Sequence, residues 1–252
     1  HLALIRDVVP VCALAAAKLA VTYTFRRTLG TYLGNATGEE VLGGRITRGE
    51  GRTIWAAILL VDLRGFNALA DSSAPMAVVG WLDDHLEALG QPVLAAGGEI
   101  LKFLGDGFLA VFPIASAEAR PCGDCGAALA AALAAQAAND ALNRQRAAQD
   151  LPRLDADMVL HFGEVVYGNV GTRQRLDFTV IGRAVNEASR IERCCEPLGR
   201  SILCSDTFAA RCAHPLAPVG EMPLRGLAKP HRLWAPVEGD AGAPGTPAAA
   251  EA

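Results

Sequence analysis

The sequence predicts an α+β domain built on one antiparallel sheet with helices on one face. Three observations lead to this prediction: a continuous apolar run of strand length at residues 55–63, two strand-like runs around the turn at 105–107, and an alanine-rich helical pattern over about 115–148. With 252 residues, 51% of them hydrophobic, the chain is long enough to bury the core that such a sheet requires.

Each element in the first half of the domain has its own local signal. The apolar run 55–63 is typical of a central strand, and residues 66–95 show helical spacing that is broken near Pro75. Residues 99–104 and 107–112 are rich in strand-forming residues, and the glycines between them permit the positive φ angles of a tight hairpin. The order up to this point is therefore β-α-β-β.

The second half continues the alternation after the alanine-rich helix. Strands are predicted at 155–170 and 177–182, and the next helix, 183–195, ends before Pro197. Shorter elements beyond residue 200 extend the sheet with extra C-terminal strands. The core order β-α-β-β-α-β is that of the ferredoxin-like plan.

Two segments of different composition flank this main domain, which we place at residues 51–237. Residues 1–50 form an N-terminal helical and linker segment, whose polar, glycine-rich part from residue 34 onward is typical of a linker. Residues 238–252, rich in alanine, glycine and proline, are expected to form a disordered tail.

An apolar stretch near the N-terminus raises the question of a membrane span. Residues 8–24 are mostly apolar, but Pro10 and Lys18 interrupt them. The run is also shorter than the roughly 20 residues that cross a bilayer. We therefore predict a packed or partner-binding helix and no membrane span; a sensor domain upstream of this segment is one candidate partner.

Charge and cysteine content narrow the possible functions. A net charge of −4 and a pI near 5.8 give no basic surface for a nucleic-acid backbone, so nucleic acid is not an expected partner. Seven cysteines without a recognisable signal peptide favour a reducing, cytoplasmic location. Cys122 and Cys125 form a CxxC that lacks the further ligands of a zinc site, so we interpret them as ordinary thiols, with a redox module as the alternative.

Two aspartates stand where the predicted sheet brings strand ends together. Asp62 ends the first strand, and Asp106 lies in the hairpin turn. Adjacent carboxylates repel each other unless a proton or a cation lies between them, and oxygen-only ligands suit Mg²⁺ or Mn²⁺. Each aspartate alone is equally well explained as a turn-forming residue.

Other polar residues suggest ligand contacts around these aspartates. If the strand alternates regularly, Lys102 shares with Ile100 and Leu104 the face that the helices leave uncovered, although a solvated face explains a lone lysine as well. The loop after Asp62, with Gly65 and Phe66 at a helix start, offers backbone N–H groups to an anion.

The last long helix carries a polar pair. Asn186 and Arg190 are four residues apart and share one helix face, from which they can donate to a sugar oxygen and a phosphate. Taken alone, the pair is more readily explained as solvent-exposed. Thr179 lies on the preceding strand, where a β-branched residue is unremarkable.

Three segments taken together, VDLRGF, EILKFLGDG and LDFTVIGRAVNEASR, resemble the catalytic domain of class III nucleotide cyclases over residues 51–237. The resemblance implies that Asp62 and Asp106 bind two divalent ions, Mg²⁺ or Mn²⁺, with the backbone carbonyl of Leu63 assisting. The other site residues that it implies are Lys102 and Thr179 for the purine, Asn186 for the ribose, Arg190 for the transition state, and Arg225 or Lys229 for the terminal phosphates.

The purine-reading pair favours ATP. A lysine can donate to N1 of adenine and a threonine oxygen can accept from its N6 amine, whereas guanine presents the opposite pattern at N1 and O6. In the family, guanine specificity typically pairs a glutamate with a cysteine. Asp177, two residues before Thr179, is the alternative acceptor. The implied reaction closes 3′,5′-cyclic AMP and releases pyrophosphate.

The resemblance also implies a homodimer with sites shared between two subunits, so that Lys102 and Asp106 of one chain serve different sites. Two alternatives remain open: a catalytically silent domain that dimerises or senses nucleotide, and a guanylate cyclase. Arg183 is a departure, because many relatives carry an uncharged or acidic residue there; we expect it at the helix start, facing solvent.

Overall fold

The computed structural model describes residues 2–116, 118, 120–227 and 229–237, so the predicted tail at 238–252 lies outside the described residues. The chain has two compact units: His1–Gly51 with Gly168–Thr179, and Arg52–Tyr167 with Val180–Ala252. The helices are α1 (Leu2–Leu33), α2 (Asn35–Leu42), α3 (Phe66–Ser72), α4 (Pro75–Ala95), α5 (Gly123–Ala147), α6 (Arg183–Glu192), α7 (Cys195–Leu198) and α8 (Asp206–Ala209). The strands are β1 (Gly51–Leu63), β2 (Glu99–Leu104), β3 (Gly107–Ile114), β4 (Ala156–Gly171), β5 (Leu176–Ile181), β6 (Ile202–Ser205), β7 (Leu216–Met222) and β8 (His231–Pro236).

The strands form one sheet in the order β2-β3-β1-β4-β6-β8-β7, with β5 paired to β4. Strand β3 runs antiparallel to both β1 and β2, as the ferredoxin-like order requires. The last three strands extend the sheet beyond β4, with β6 parallel to β4 and antiparallel to β8. The predicted α+β fold with extra C-terminal strands is confirmed.

Helices α4 and α5 supply the helical side of the main core in the second unit. Strand residues such as Leu59, Ala110 and Phe112 pack with Leu89 and Ala128 of these helices. The predicted break at Pro75 is present, because proline occupies the first turn of α4. Helix α5 begins at residue 123, later than expected; two prolines, at 113 and 121, precede it, and proline disfavours helical backbone in the residue before it.

Helix α6, unlike α4 and α5, packs on the opposite face of β4, so the helices do not all lie on one face as predicted. Met158, Leu160 and Phe162 belong to the main core, so alternation turns His161 and Gly163 the other way. A Cβ at Gly163 would lie 2.5 Å from the Cβ of Ala184, so the absence of a side chain there allows α6 to approach the strand closely.

The first unit combines the N-terminal helices with the β4–β5 hairpin. Residues 35–42, within the stretch predicted as a linker, form α2, because Gly38 lets this helix pack on α1 at Leu29 and Gly30. Asn169 of the hairpin is held from both sides: its side-chain amide donates to the carbonyl of Arg45 at 2.9 Å, and its backbone N–H donates to that of Glu50 at 2.8 Å. Residues 45–50 and the hairpin are therefore joined by hydrogen bonds.

Helix α1 is longer than the apolar run that we predicted. It continues through Arg26 and Arg27 to Leu33. Residues 11–29 contain no proline or glycine that would interrupt the helix. Its segment Val8–Leu33 has 26 residues, no buried part and an 18-residue window with a mean hydropathy of 1.7, and it is the single helical segment in the described residues that is long and apolar enough to cross a membrane. The expectation that the run is too short to span is thus not supported, although length and composition alone do not establish a span.

Candidate active site

Asp62 and Asp106 are brought together by the pairing of β1 with the β2–β3 hairpin. Val61 pairs with Phe108, which places Asp62 opposite Gly107 and next to Asp106 in the turn. A Cβ at position 107 would lie 2.9 Å from the Cα of Asp62 and even closer to the carbonyl oxygen of Val61. Glycine at this position therefore allows the close approach of the two acidic segments.

The two carboxylates disfavour each other's charge. Burial raises the pKa of Asp62 to about 7, and the neighbouring carboxylate of Asp106 contributes to the rise. Glu192 at the end of α6 also has a raised pKa, first because of burial and then because of Asp157 and Asp106. A bound cation would relieve this repulsion, so the donor set fits a divalent metal ion.

Asp157 is close to Asp62 and Glu192, but it already forms an ion pair with Arg64. The Arg64 guanidinium contacts both of its carboxylate oxygens, with Nε at 3.2 Å from Oδ2 and Nη2 bound to Oδ1. The backbone N–H of Arg64 also donates to the carbonyl of Asp155 at 2.8 Å. These bonds tie the loop that follows Asp62 to the start of β4, and Arg64 opposes the rise that burial causes in the pKa of Asp157.

Among the described residues, no group of three or more histidine, cysteine, aspartate or glutamate side chains is arranged to hold a metal ion. The ligand set implied by the resemblance, the two carboxylates of Asp62 and Asp106 with the backbone carbonyl of Leu63, stays a prediction. Mg²⁺ commonly takes one or two protein carboxylates and completes its coordination with water and substrate phosphates.

The loop after Asp62 turns sharply into α3. Gly65 has a φ of 71°, in the left-handed region that favours glycine, and it precedes the first residue of α3. Phe66 is 7% exposed and packs in the main core. The core anchors this loop beside Asp62, while Gly65 itself is exposed.

Lys102 lies beyond a register shift in β2. Ile100 pairs with Ala110, but Lys102 pairs with Leu109, so Leu101 is an extra residue between the two pairs. Ile100 packs against the main core together with Ala110, and Lys102 therefore faces the other side of the sheet. The predicted shared face of Ile100 and Lys102 is wrong, because the bulge changes the alternation. Lys102 nevertheless lies on the expected side of the sheet, away from α4 and α5, because its partner Leu109 does not belong to the main core.

Helix α6 holds Asn186 exposed and Arg190 half-buried. The Arg190 guanidinium lies beside the turn after β7: its Nη2 is 3.7 Å from where a Cβ of Gly226 would be. Arg225 and Lys229 belong to the same connection between β7 and β8, and both are exposed. The structure thus places Arg190 beside Gly226, the neighbour of Arg225.

Thr179 and Asp177 lie on β5, in the first unit. Thr179 is 3% exposed, and its hydroxyl oxygen is buried without a hydrogen-bond partner among the described residues. Asp177 is exposed. A buried hydroxyl without a partner costs free energy unless a ligand or a water molecule satisfies it, so Thr179 is the better candidate for contact with a bound ligand.

Sequence reasoning missed the polar residues of β4. Asp157 pairs with Arg64, and His161 lies 3.6 Å from Glu187 of α6, with both side chains buried. Their signal was present, because both stand at alternate positions of a strand that is otherwise apolar and so must share one face. The expected orientation of Arg183 is correct: its side chain is 79% exposed and binds Glu187 at 2.5 Å.

The cysteines are all free, and most are buried, with Cys12 exposed and Cys212 partly so. Burial raises the pKa of Cys125 and of Cys212. A thiol with a raised pKa is a poor nucleophile near neutral pH. Cys125 therefore does not have the environment of a reactive CxxC thiol.

The sequence model of the adenylate and guanylate cyclase catalytic domain family matches residues 52–234. An adenylate cyclase of Anabaena cylindrica is 36% identical over 162 residues, which cover 63% of this chain and 31% of that protein. Adenylate cyclase 1 of Rhizobium meliloti (strain 1021) is 30% identical over 165 residues, which cover 64% of this chain and 24% of that protein. The chain thus spans a third or less of these curated relatives.

Solved structures agree with the sequence relatives. The adenylyl cyclase CyaB from P. aeruginosa is 27% identical with a TM-score of 0.67, and the match covers 77% of this chain and 100% of that one. The guanylyl cyclase Cya2 is 28% identical with a TM-score of 0.63, over 73% and 92% of the two chains. The sheet, the paired aspartates and these matches lead to one conclusion: the chain belongs to the adenylate and guanylate cyclase catalytic domain family.

Proposed function

We propose that this chain is an adenylate cyclase that converts ATP to 3′,5′-cyclic AMP and pyrophosphate in intracellular signalling. The observation that carries the proposal is the pair Asp62 and Asp106, two carboxylates held together although burial and mutual repulsion raise the pKa of Asp62 to about 7. Such a pair is suited to a site that is completed by divalent cations. The similarity to adenylate cyclases supports the choice of reaction.

The chemistry is an intramolecular phosphoryl transfer. The ribose 3′-oxygen forms a bond to the α-phosphorus, the bond from that phosphorus to the pyrophosphate oxygen breaks, and the 3′-hydroxyl proton passes to solvent. Asp62, Asp106 and the Leu63 carbonyl would hold Mg²⁺ or Mn²⁺, which would lower the pKa of the 3′-hydroxyl and neutralise phosphate charge. In such transfers, positioning and charge neutralisation supply most of the rate enhancement.

The residues of α6 and of the loop before β8 act on the ribose and phosphates. Asn186 orients the ribose, and Arg190 stabilises the charge that develops on the α-phosphate. The contact of Arg190 with the Gly226 turn supports this role, since the turn also carries Arg225. Arg225 or Lys229 binds the terminal phosphates, and the loop at Gly65 and Phe66 offers backbone N–H groups to them.

Lys102 and Thr179 select adenine. Lys102 donates to N1, and the Thr179 hydroxyl accepts from the N6 amine. The buried Thr179 hydroxyl without a partner among the described residues supports this assignment, because a purine amine would satisfy it.

The active form is a homodimer with two shared sites, and it works in the cytoplasm. One subunit supplies the aspartates, and the other supplies the purine-reading residues with Asn186 and Arg190. The three segments 1–50, 51–237 and 238–252 then serve as an input segment, a catalytic domain and a tail. Helix α1 links the catalytic domain to an upstream sensor.

A direct assay tests the proposal. The purified chain is incubated with ATP or GTP and with Mg²⁺ or Mn²⁺, and cyclic nucleotide and pyrophosphate are separated by chromatography. We expect cyclic AMP from ATP, lost in Asp62→Ala and retained in Asp83→Ala, a matched change of an exposed aspartate on α4. Cyclic GMP from GTP would instead make the chain a guanylate cyclase. Binding of ATP to a dimer without product would favour the silent domain.

A further inference from the structure

A buried carboxylate interrupts the apolar side of α6. Ala184, Ala188 and Ile191 fill the contact between this helix and the sheet, and Glu187 lies among them at 8% exposure. Burying a carboxylate is unfavourable unless nearby donors compensate its charge. The partners of Glu187 therefore decide where this helix can rest.

Two polar side chains face Glu187 from different directions. Arg183, one turn earlier on α6, places its Nε 2.5 Å from Oε1, and His161 of β4 places its Nε2 3.6 Å from Oε2. The second distance is longer than a hydrogen bond, so the imidazole acts as a polar neighbour that faces the carboxylate across the contact. The Nδ1 atom of His161 is buried without a hydrogen-bond partner among the described residues.

The apolar contacts alone do not fix the rotation of α6. Contacts of alanine and isoleucine are not directional, and the gap at Gly163 admits the helix without specifying its angle. Arg183 turns with the helix, so a rotation of α6 keeps that bond and changes the distance between the buried carboxylate and the imidazole of His161 on β4. The His161–Glu187 pair is therefore a polar contact between α6 and β4 that depends on the rotation of the helix.

We propose that Glu187 and His161 are positioning residues that fix the rotation of α6 and so aim Asn186 and Arg190. Asn186 adjoins Glu187 in the chain, and Arg190 follows one turn later, where its guanidinium reaches the Gly226 turn. A small rotation of α6 displaces both side chains at once. This inference rests on the proposed function for its effect on rate, but its effect on the helix does not depend on activity.

The test compares Glu187→Gln and His161→Gln with a matched control, Glu164→Gln, which removes an exposed carboxylate from the same strand. We expect kcat to fall at least about tenfold in Glu187→Gln, since small misplacements of reacting groups are costly. The KM for ATP should stay within about twofold, because the metal-binding aspartates and the purine-reading residues are untouched. Unchanged kcat in Glu187→Gln, or a loss that only follows the folded fraction, would overturn the proposal.

A second readout separates this inference from the proposed function. Amide hydrogen exchange of residues 183–192 should be at least about tenfold faster in Glu187→Gln than in the wild-type chain or in Glu164→Gln. This holds even if the wild-type protein makes no cyclic nucleotide, an outcome that would contradict the proposed function alone. His161→Gln removes the neighbour on β4 but leaves the Arg183 bond within α6, and it should accelerate the same amides, also if Glu187→Gln does not fold. Protection of α6 that is equal in all variants would contradict the positioning role.

Discussion

Gly107 lies against the backbone of Asp62, with the position of its missing Cβ only 2.9 Å from the Cα of that aspartate. This contact joins the hairpin that carries Asp106 to the end of β1. A side chain at position 107 would have to displace one of the two strands. The distance between the candidate metal ligands therefore depends on a residue that has no side chain.

Gly107→Ala should thus separate the aspartates. We expect the free energy of unfolding to fall by about 1–3 kcal/mol, as in other overpacked sites. Cyclase activity should fall at least about tenfold, because the ligands of one site move apart. Gly80→Ala, in an exposed helical position with nothing within 4 Å, is the control. Wild-type stability and activity in Gly107→Ala would show that the strands can separate without consequence.

Removing one carboxylate should stabilise the metal-free protein while it abolishes activity. Asp62→Asn keeps the size of the side chain but ends the repulsion with Asp106. We expect the melting temperature without metal to rise by about 2–4 °C, which corresponds to roughly 1 kcal/mol for a chain of this size. Asp83→Asn should leave the melting temperature unchanged. A lower melting temperature in Asp62→Asn would mean that the carboxylate makes a stabilising contact instead.

His161 should make the protein less stable in acid. Burial lowers its pKa to about 4; Glu187 opposes this shift, whereas His231 and Arg183 add to it. Below pH of about 6.5 the unfolded chain takes up a proton that the folded chain refuses, so the free energy of unfolding falls between pH 6.5 and 4, by at most about 3 kcal/mol. Above that range this histidine adds no pH dependence.

Urea denaturation at several pH values measures this effect. In His161→Gln the decline between pH 6.5 and 4 should be smaller than in the wild-type chain. His214→Gln, which changes an exposed histidine, should keep the wild-type dependence. An equal decline in all three proteins would assign the acid sensitivity to other groups.

Mixing inactive subunits should test the shared site. In the proposed shared site Asp106→Ala lacks a metal ligand and Arg190→Ala lacks the transition-state cation, so we expect each homodimer to be inactive. In a one-to-one mixture half of the dimers are heterodimers with one intact site each, and about a quarter of the wild-type activity should return. If mixtures that contain heterodimers remain inactive, one subunit supplies all the residues of a site.

Substitution of the purine-reading pair should change the preferred nucleotide. Lys102→Glu with Thr179→Cys replaces the donor to N1 by an acceptor, as guanine requires. We expect cyclic AMP formation to fall at least about tenfold and cyclic GMP formation to rise, because unpaired polar groups penalise the wrong base. If the ratio of the two products does not change, other residues select the base.

The fold and the candidate site differ in how far the sequence could predict them. The hairpin at Asp106 and the strand end at Asp62 were predictable, since apolar runs and glycines mark them locally. The bulge at Leu101 was not, because it arises from the pairing of β2 with β3 and leaves no signal in β2 alone. The polar face of β4 at Asp157 and His161 could be predicted from alternation, but the pairing of Asp157 with Arg64 could not, since these two residues are 93 positions apart.

The bonds around Asn169 bear on how this protein can be dissected. The family match begins at residue 52, so a fragment that begins there would contain the whole matched region. Such a fragment loses the Arg45 and Glu50 carbonyls that hold Asn169, a residue that is 5% exposed and lies in the same unit as Thr179. Its hairpin would then be free to fray, and nucleotide preferences measured on it would misrepresent the longer chain. A fragment used to measure nucleotide preference should therefore begin before Arg45.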